Sequence, residues 1–394
     1  MEHLTLGRAL AQAHADPQAD ARACRWMARV YELRGDYAAA FEWVDQGLLA
    51  LTGRDATVTA DLRAIAGLIH ARQGQLDKAE EQARAAATLA QAQTDLKAWA
   101  RAEGLLGFVA LRRGLLPAAA GHFQHALELY LRTGDIQGQA VAHNQLANVY
   151  FGSGDWPTAD HHYRQARATF DQIGDRYNRA IADNNLGGLA LPQGRFDEAL
   201  QFYQTAVQTS EQIGAPTYLL GMMEMNLGAA FIRLRQPATA REHLQRSQSY
   251  FEQAQARDSL PELLRHLARA ALMEGEASRA EQLAHQALSL ARELSLRSEE
   301  GCALRVLGEI YNDQNRAAEA EAPLTHSVAI LEEVADEYEL ARSRFSLARA
   351  YSLLHQPNAA RIQLDQCLPV FERLEARPDL TAARTLKDKL GMSQ

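Results

Sequence analysis

The sequence predicts an all-α solenoid, and three observations carry that prediction. Small residues recur in one local setting at Ala28, Gly67, Gly107, Ala147, Gly187, Gly228, Ala268, Gly308 and Ala348, at intervals of 39 to 41 residues. Twelve residues after each stands an alanine: Ala40, Ala79, Ala119, Ala159, Ala199, Ala240, Ala280, Ala320 and Ala360. Seven further on comes another small residue: Gly47, Ala86, Ala126, Ala166, Ala206, Ser247, Ala287, Ser327 and Cys367. A period this regular marks a repeat array, in which a unit buries its apolar face only against its neighbours. Length alone, 394 residues, would suggest two or three domains. The period overrules that estimate in favour of one array of nine repeats.

The elements follow in order. Residues about 3–14 continue an apolar face through Leu10 and Ala11 and read as the second helix of a partial repeat. The nine repeats span about 20–377, and the amphipathic LTAARTLKDKL predicts a closing helix over 379–391. The fourth unit shows the internal pattern: one helix over about 136–152, a break at Ser153-Gly154-Asp155, a second helix from Trp156 to about Ile173, then Gly174-Asp175. Glycine takes φ > 0 after a helix and aspartate caps the next one. The small residues mark where the two helices approach, and Tyr31, Tyr150, Phe231, Tyr311 and Tyr351 fill wider spaces nearby. Gln236-Pro237 and Gln356-Pro357 replace the Gly-Asp break, which a proline at the first helical position tolerates. Pro192 is expected to shorten the first helix of repeat five, and Pro323 to bend a second helix.

LANVYFGSGDWPTADHHYRQA and LGGLALPQGRFDEALQFYQTA resemble the tetratricopeptide repeat (TPR). The shared features are Leu-Gly/Ala, the aromatic and glycine that follow, and Ala-(x)3-Tyr-(x)2-Ala. The family unit has about 34 residues, whereas this one has about 40. The longer unit is similar to arrays in Pins-type scaffolds, kinesin light chain, bacterial signal-transducing (STAND) ATPases and maltose-regulator-like activators. The resemblance implies a right-handed superhelix whose first helices line a concave ligand-binding surface. It also implies the sensor or interaction part of a larger signalling protein, since the array starts in mid-repeat.

Composition narrows the function classes. The formal net charge is −8, which disfavours nucleic acid or an anionic membrane as partner. No apolar run is long enough to span a bilayer. The first residues lack a secretion signal. Cys24, Cys302 and Cys367 form no CxxC pair, so a reduced, cytoplasmic setting is expected. No phosphate-binding, nucleophile-elbow or metalloprotease motif occurs, and no enzyme activity or cofactor is expected. His122, His125, His161 and His162 are the only arrangement suggestive of a metal, and pairs of histidines do not complete a site of three or four ligands.

With the small residue counted as eighth in its unit, the resemblance places positions two, five and nine on the concave face. Nine of these 27 residues are arginine, namely Arg22, Arg25, Arg29, Arg101, Arg265, Arg269, Arg305, Arg342 and Arg349. Asp61, Glu262 and Glu309 are the only acids, so the set carries +6. That excess predicts an acidic peptide or protein partner, because the guanidinium fork grips carboxylate in two places. Pairing with acids on adjacent helices is the alternative, better suited to Arg265, Arg269 and Arg305 than to the first triplet. Repeats four to six carry no charge at these positions. They present Asn144, Asn148, Asn184, Met222 and Met225, with Asn185 and Asn226 one position further round. Amides both donate and accept, so they can hold an extended peptide backbone or the hydroxyls of a small effector such as a sugar. Methionines would supply an adaptable apolar wall.

Overall fold

The computed structural model describes residues 2–33, 35–51 and 56–391. Among these residues it contains twenty α-helices and one short 3-10 turn, Arg257–Ser259, with no strand. The first helices of the repeats are α2 (Pro17–Leu33), α4 (Ala56–Arg72), α6 (Leu96–Arg112), α8 (Ile136–Gly152), α10 (Arg176–Ala190), α12 (Thr217–Arg233), α14 (Leu260–Met273), α16 (Arg297–Asp313) and α18 (Glu337–Leu353). The second helices are α3 (Tyr37–Leu51), α5 (Leu76–Ala92), α7 (Leu116–Thr133), α9 (Trp156–Gln172), α11 (Phe196–Gln212), α13 (Pro237–Ala254), α15 (Ala277–Glu293), α17 (Ala317–Glu333) and α19 (Pro357–Arg373). Helix α1 (Glu2–Ala13) precedes them and α20 (Arg377–Lys389) follows. Consecutive helices form antiparallel pairs stacked as a solenoid.

The alanine series is the seam of each pair. All nine, from Ala40 to Ala360, are wholly inaccessible to solvent. The preceding small residues make room for one large side chain each. A Cβ on Gly107, Gly187 or Gly228 would stand 2.7–2.8 Å from the side chain of Phe123, Tyr203 or Leu244. Where the third small residue is serine, its hydroxyl is buried and satisfied: Ser247 and Ser327 donate to the carbonyls of Gly221 and Gly301, at 2.8 and 2.7 Å.

The turns around repeat four follow the expected chemistry. Gly134, Gly154 and Gly174 have φ between +64° and +78°, and Asp135, Asp155 and Asp175 accept the backbone N–H three residues on. Most later turns keep the left-handed residue but not the glycine, with Gly275 at φ 83° an exception. Arg235, Gln255, Ser295, Asn315, Ala335, His355 and Glu375 all have φ between +52° and +58°. Pro237 and Pro357 open α13 and α19, and α10 ends at Ala190, two residues before Pro192. Pro323 sits inside α17, which runs on to Glu333, so the lost hydrogen bond does not end the helix.

Two compact units divide the chain: residues 1–149 with 161–173, and residues 150–160 with 174–394. The second unit turns back on itself. Arg233, at the end of α12, donates to both carboxylate oxygens of Asp379 on α20, at 3.2 and 2.8 Å, and the Tyr338 hydroxyl donates to Asp379 at 2.7 Å. Arg373 donates to the carbonyl of Gly154, and the rings of Trp156 and Tyr338 meet edge to face at 5.4 Å. Except for Tyr338–Asp379, these contacts join residues more than 100 positions apart within that unit.

Candidate functional site

In the first unit, the candidate positions begin on α2. Arg22 is exposed, and Trp26 beside it is about half exposed, with the Arg25 guanidinium 4.8 Å over its ring. Arg25 reaches Asp61 at 2.5 Å, and Arg101 shares that carboxylate. Arg29 and Arg72 both pair with Glu32, which is fully buried, at 2.6 and 2.8 Å. Two of the three clustered arginines are therefore neutralised by acids, contrary to expectation. The physical reason is local, since Glu32 lies three residues after Arg29 on one helix face and outside the positions counted.

The asparagine pair of repeat four is divided. Asn144 is buried and has a partner of its own. Asn148 donates to Gln145 at 3.2 Å, and its carbonyl oxygen accepts the Tyr163 hydroxyl at 2.7 Å. It ties α8 to the second helix of its own repeat. The histidines have protein partners too. His122 and His125 both approach Glu103, at 2.7 and 3.4 Å, and Trp99 donates to the same carboxylate. His143 and His162 share a hydrogen bond of 2.8 Å between their Nδ1 atoms. Among the described residues, no three His, Cys, Asp or Glu side chains group as metal ligands.

In the second unit the neutral stretch forms a wall of amides. Asn184 on α10 is buried, and its carbonyl oxygen accepts from Asn226 Nδ2 on α12 at 3.0 Å. That bond leaves the Asn184 NH2 and the Asn226 carbonyl oxygen to spare, a donor and an acceptor. Asn185 is half-buried with a partner of its own. The methionines belong elsewhere. Met225 is a core residue packed with Leu244, Phe251 and Leu263, and Met222 packs partly against the same cluster. The expected adaptable wall is thus core, because position five of α12 turns towards the next repeat.

The arginines of repeats seven to nine are matched. Arg265 forks onto Glu299 at 2.8 and 3.0 Å, Arg269 reaches Glu309 at 2.8 Å, and Arg349 reaches Asp313 at 2.9 Å. Arg305, fully buried, bonds Glu309 at 3.0 Å and also Glu339, which accepts from Arg342. Burial pushes the Glu309 pKa up, but Arg269, Arg305 and Arg342 outweigh it and hold the carboxyl below the usual range. Five arginines (265, 269, 305, 342, 349) thus share the wall with five carboxylates, at 262, 299, 309, 313 and 339. The expected excess of +6 does not survive there. Glu299 and Glu339 lie in the first turns of α16 and α18, one helical turn before position two, and the three-position count missed them.

The tetratricopeptide repeat family profile matches residues 100–172, 178–253 and 299–373, more than half of the chain. The chain belongs to the tetratricopeptide-repeat family. No curated protein matches this TPR array over its sequence. Solved structures share its fold at low identity. The apo form of the quorum sensor NprR from B. thuringiensis aligns with a TM-score of 0.63 and 12% identity, over 90% of this chain and 99% of its own. The Rap conjugation regulator of plasmid pLS20, in complex with the Phr* peptide, gives 0.61 and 12%, over 89% and 96%. A Rap protein complexed with competence and sporulation factor gives 0.59 and 12%, over 85% and 99%. Among the described residues, no helix of the TPR array is long and apolar enough to cross a membrane.

Proposed function

We propose that this TPR array is a non-catalytic recognition module that holds a peptide along its first helices, as the sensing part of a signalling protein. The observation that carries this reading is the Asn226–Asn184 pair, which keeps a donor and an acceptor to spare, the two groups that an extended backbone can use. The Phr* peptide bound to the Rap regulator of plasmid pLS20 sits on the same fold, which supports a peptide as the ligand class. Because four carboxylates bond the five arginines of repeats seven to nine and Glu262 adds a fifth negative charge, the peptide held there is one of little net charge rather than the acidic one anticipated from the arginine count. A small effector such as a sugar is the second reading, and stacked aromatics would favour it. Here Phe151, Trp156, Tyr338 and Phe371 cluster where the second unit closes on itself, apart from the amides. The test is selection from a random heptapeptide phage library. Peptides enriched by the native protein and lost with Asn184→Ala/Asn226→Ala support the reading, and enrichment indifferent to that pair sinks it.

A further inference from the structure

Repeats four and five are the only two with tyrosine sixteen residues after the small residue, at Tyr163 and Tyr203. Both rings are buried, at 3% and 2% exposure, and both hydroxyls reach the position that follows the small residue. In repeat four the hydroxyl meets an acceptor, the Asn148 carbonyl oxygen, at 2.7 Å. In repeat five the residue equivalent to Asn148 is Gly188, which has no side chain to offer. Among the described residues Tyr203 Oη has no hydrogen-bond partner. The ring is buried, but the hydroxyl is not one of the fully buried polar atoms left without a partner, so it opens onto solvent over Gly188 where a ligand group can reach it.

Packing does not explain Gly188. Its neighbour Gly187 must be small, because a Cβ there would press on the Tyr203 ring at 2.8 Å. A Cβ on Gly188 would meet only Tyr203 Oη, at an ordinary 3.6 Å. Glycine inside a helix costs about 0.5–1 kcal/mol relative to alanine, so an uncrowded one leaves space that something else can use. One turn earlier on the same face stands Asn184, bonded to Asn226 with a donor and an acceptor to spare.

We propose that the notch over Gly188 is a subsite for an amide group of the ligand, which takes the place that the Asn148 side chain fills in the preceding repeat. Tyr203 donates to the amide carbonyl oxygen, and Asn184 and Asn226 hold the amide's neighbours. The inference rests on the peptide reading for the identity of the ligand, but the subsite can be tested without it. The amide is either a backbone link or an asparagine or glutamine side chain.

The first measurement needs no ligand. Tyr163→Phe breaks a hydrogen bond and should lower the melting temperature, whereas Tyr203→Phe should leave it unchanged. An equal fall for both would show that Tyr203 is already paired, and the subsite would fail. The second follows tyrosine ring resonances by NMR during titration with N-methylacetamide, a backbone mimic, and with propionamide, a side-chain mimic. The Tyr203 signal should move with one of them, which identifies the source, while Tyr163 stays still. Gly188→Asn should abolish the response by filling the notch, and Tyr203→Phe should weaken binding of the effective amide roughly tenfold, as the loss of one hydrogen bond predicts. No movement with either amide, or an unchanged response in Gly188→Asn, overturns the proposal. Selected heptapeptides that bind Gly188→Asn as well as the native protein would refute the subsite and leave the peptide reading standing. Amide binding at the notch with no heptapeptide selected would do the reverse.

Discussion

Many single residues in this protein are fixed by a partner on another helix rather than by their neighbours in the chain. His143 and His162 illustrate it, joined across α8 and α9 through their Nδ1 atoms. One ring must donate and the other accept, so the bond survives protonation of the donor ring alone and is broken once both rings are protonated. Burial first, then the charges of His143 and His161, push the His162 pKa down from 6.5 to about 4, and burial likewise lowers His143. Because the folded-state value lies below the unfolded one, the folded protein binds fewer protons in that window. This contribution is complete above the ordinary histidine value and is lost as pH falls towards about 4. We expect urea midpoints to fall between neutral pH and about pH 5, and a His143→Gln/His162→Gln variant to lose part of that slope. The seam alanines allow a second residue-scale prediction. Ala199 is wholly buried, so Ala199→Leu should overpack the α10–α11 pair and cost about 1–3 kcal/mol in chemical denaturation.

Helices end here by two routes. Glycine occupies the left-handed position in the turns of repeats four and five, but residues with a Cβ hold it in most later turns. Such residues pay roughly 1–2 kcal/mol for that conformation. Ala335, at φ 56°, has neither a side chain that bonds locally nor bulk that packs, so Ala335→Gly should raise stability by about 0.5–1 kcal/mol, seen as a higher melting temperature. An unchanged or lower value would mean that the turn between α17 and α18 carries no strain. Pro323 belongs to this scale as well. It was expected to disturb α17, and the helix absorbs it without ending.

At the scale of the chain, the array is a TPR solenoid whose second unit is closed by its last helix. Arg233 and Tyr338 both bond Asp379, which is nearly buried, from helices far apart in sequence. Removing one member of such a group leaves the others unsatisfied, at a cost of about 1–3 kcal/mol. Asp379→Ala should therefore release α20, with faster hydrogen exchange there and at the end of α12, while α5 and α6 keep native protection. The matched charges predict a second property of the whole molecule. Affinity for a peptide held by the amide wall should change little with salt, because screening acts on net charge and the wall carries almost none.

Fold class and the pairing of helices were legible in the sequence, because packing a helix pair demands a small residue at fixed positions and the demand recurs about every 40 residues. The boundaries of α8 and α9 agree with the sequence reading to within a residue or so, since Gly154-Asp155 and Gly174-Asp175 state where chains can turn. The amides at Asn184 and Asn226 were also visible as candidates. What only the tertiary structure decided is which polar groups are already spent. Asn148 is taken by Tyr163, Arg29 by Glu32 and Arg305 by Glu339, while Tyr203 is left without a partner. A sequence records that a side chain can form a hydrogen bond, but the bond depends on a partner within about 3 Å, and that distance exists only once the helices have packed.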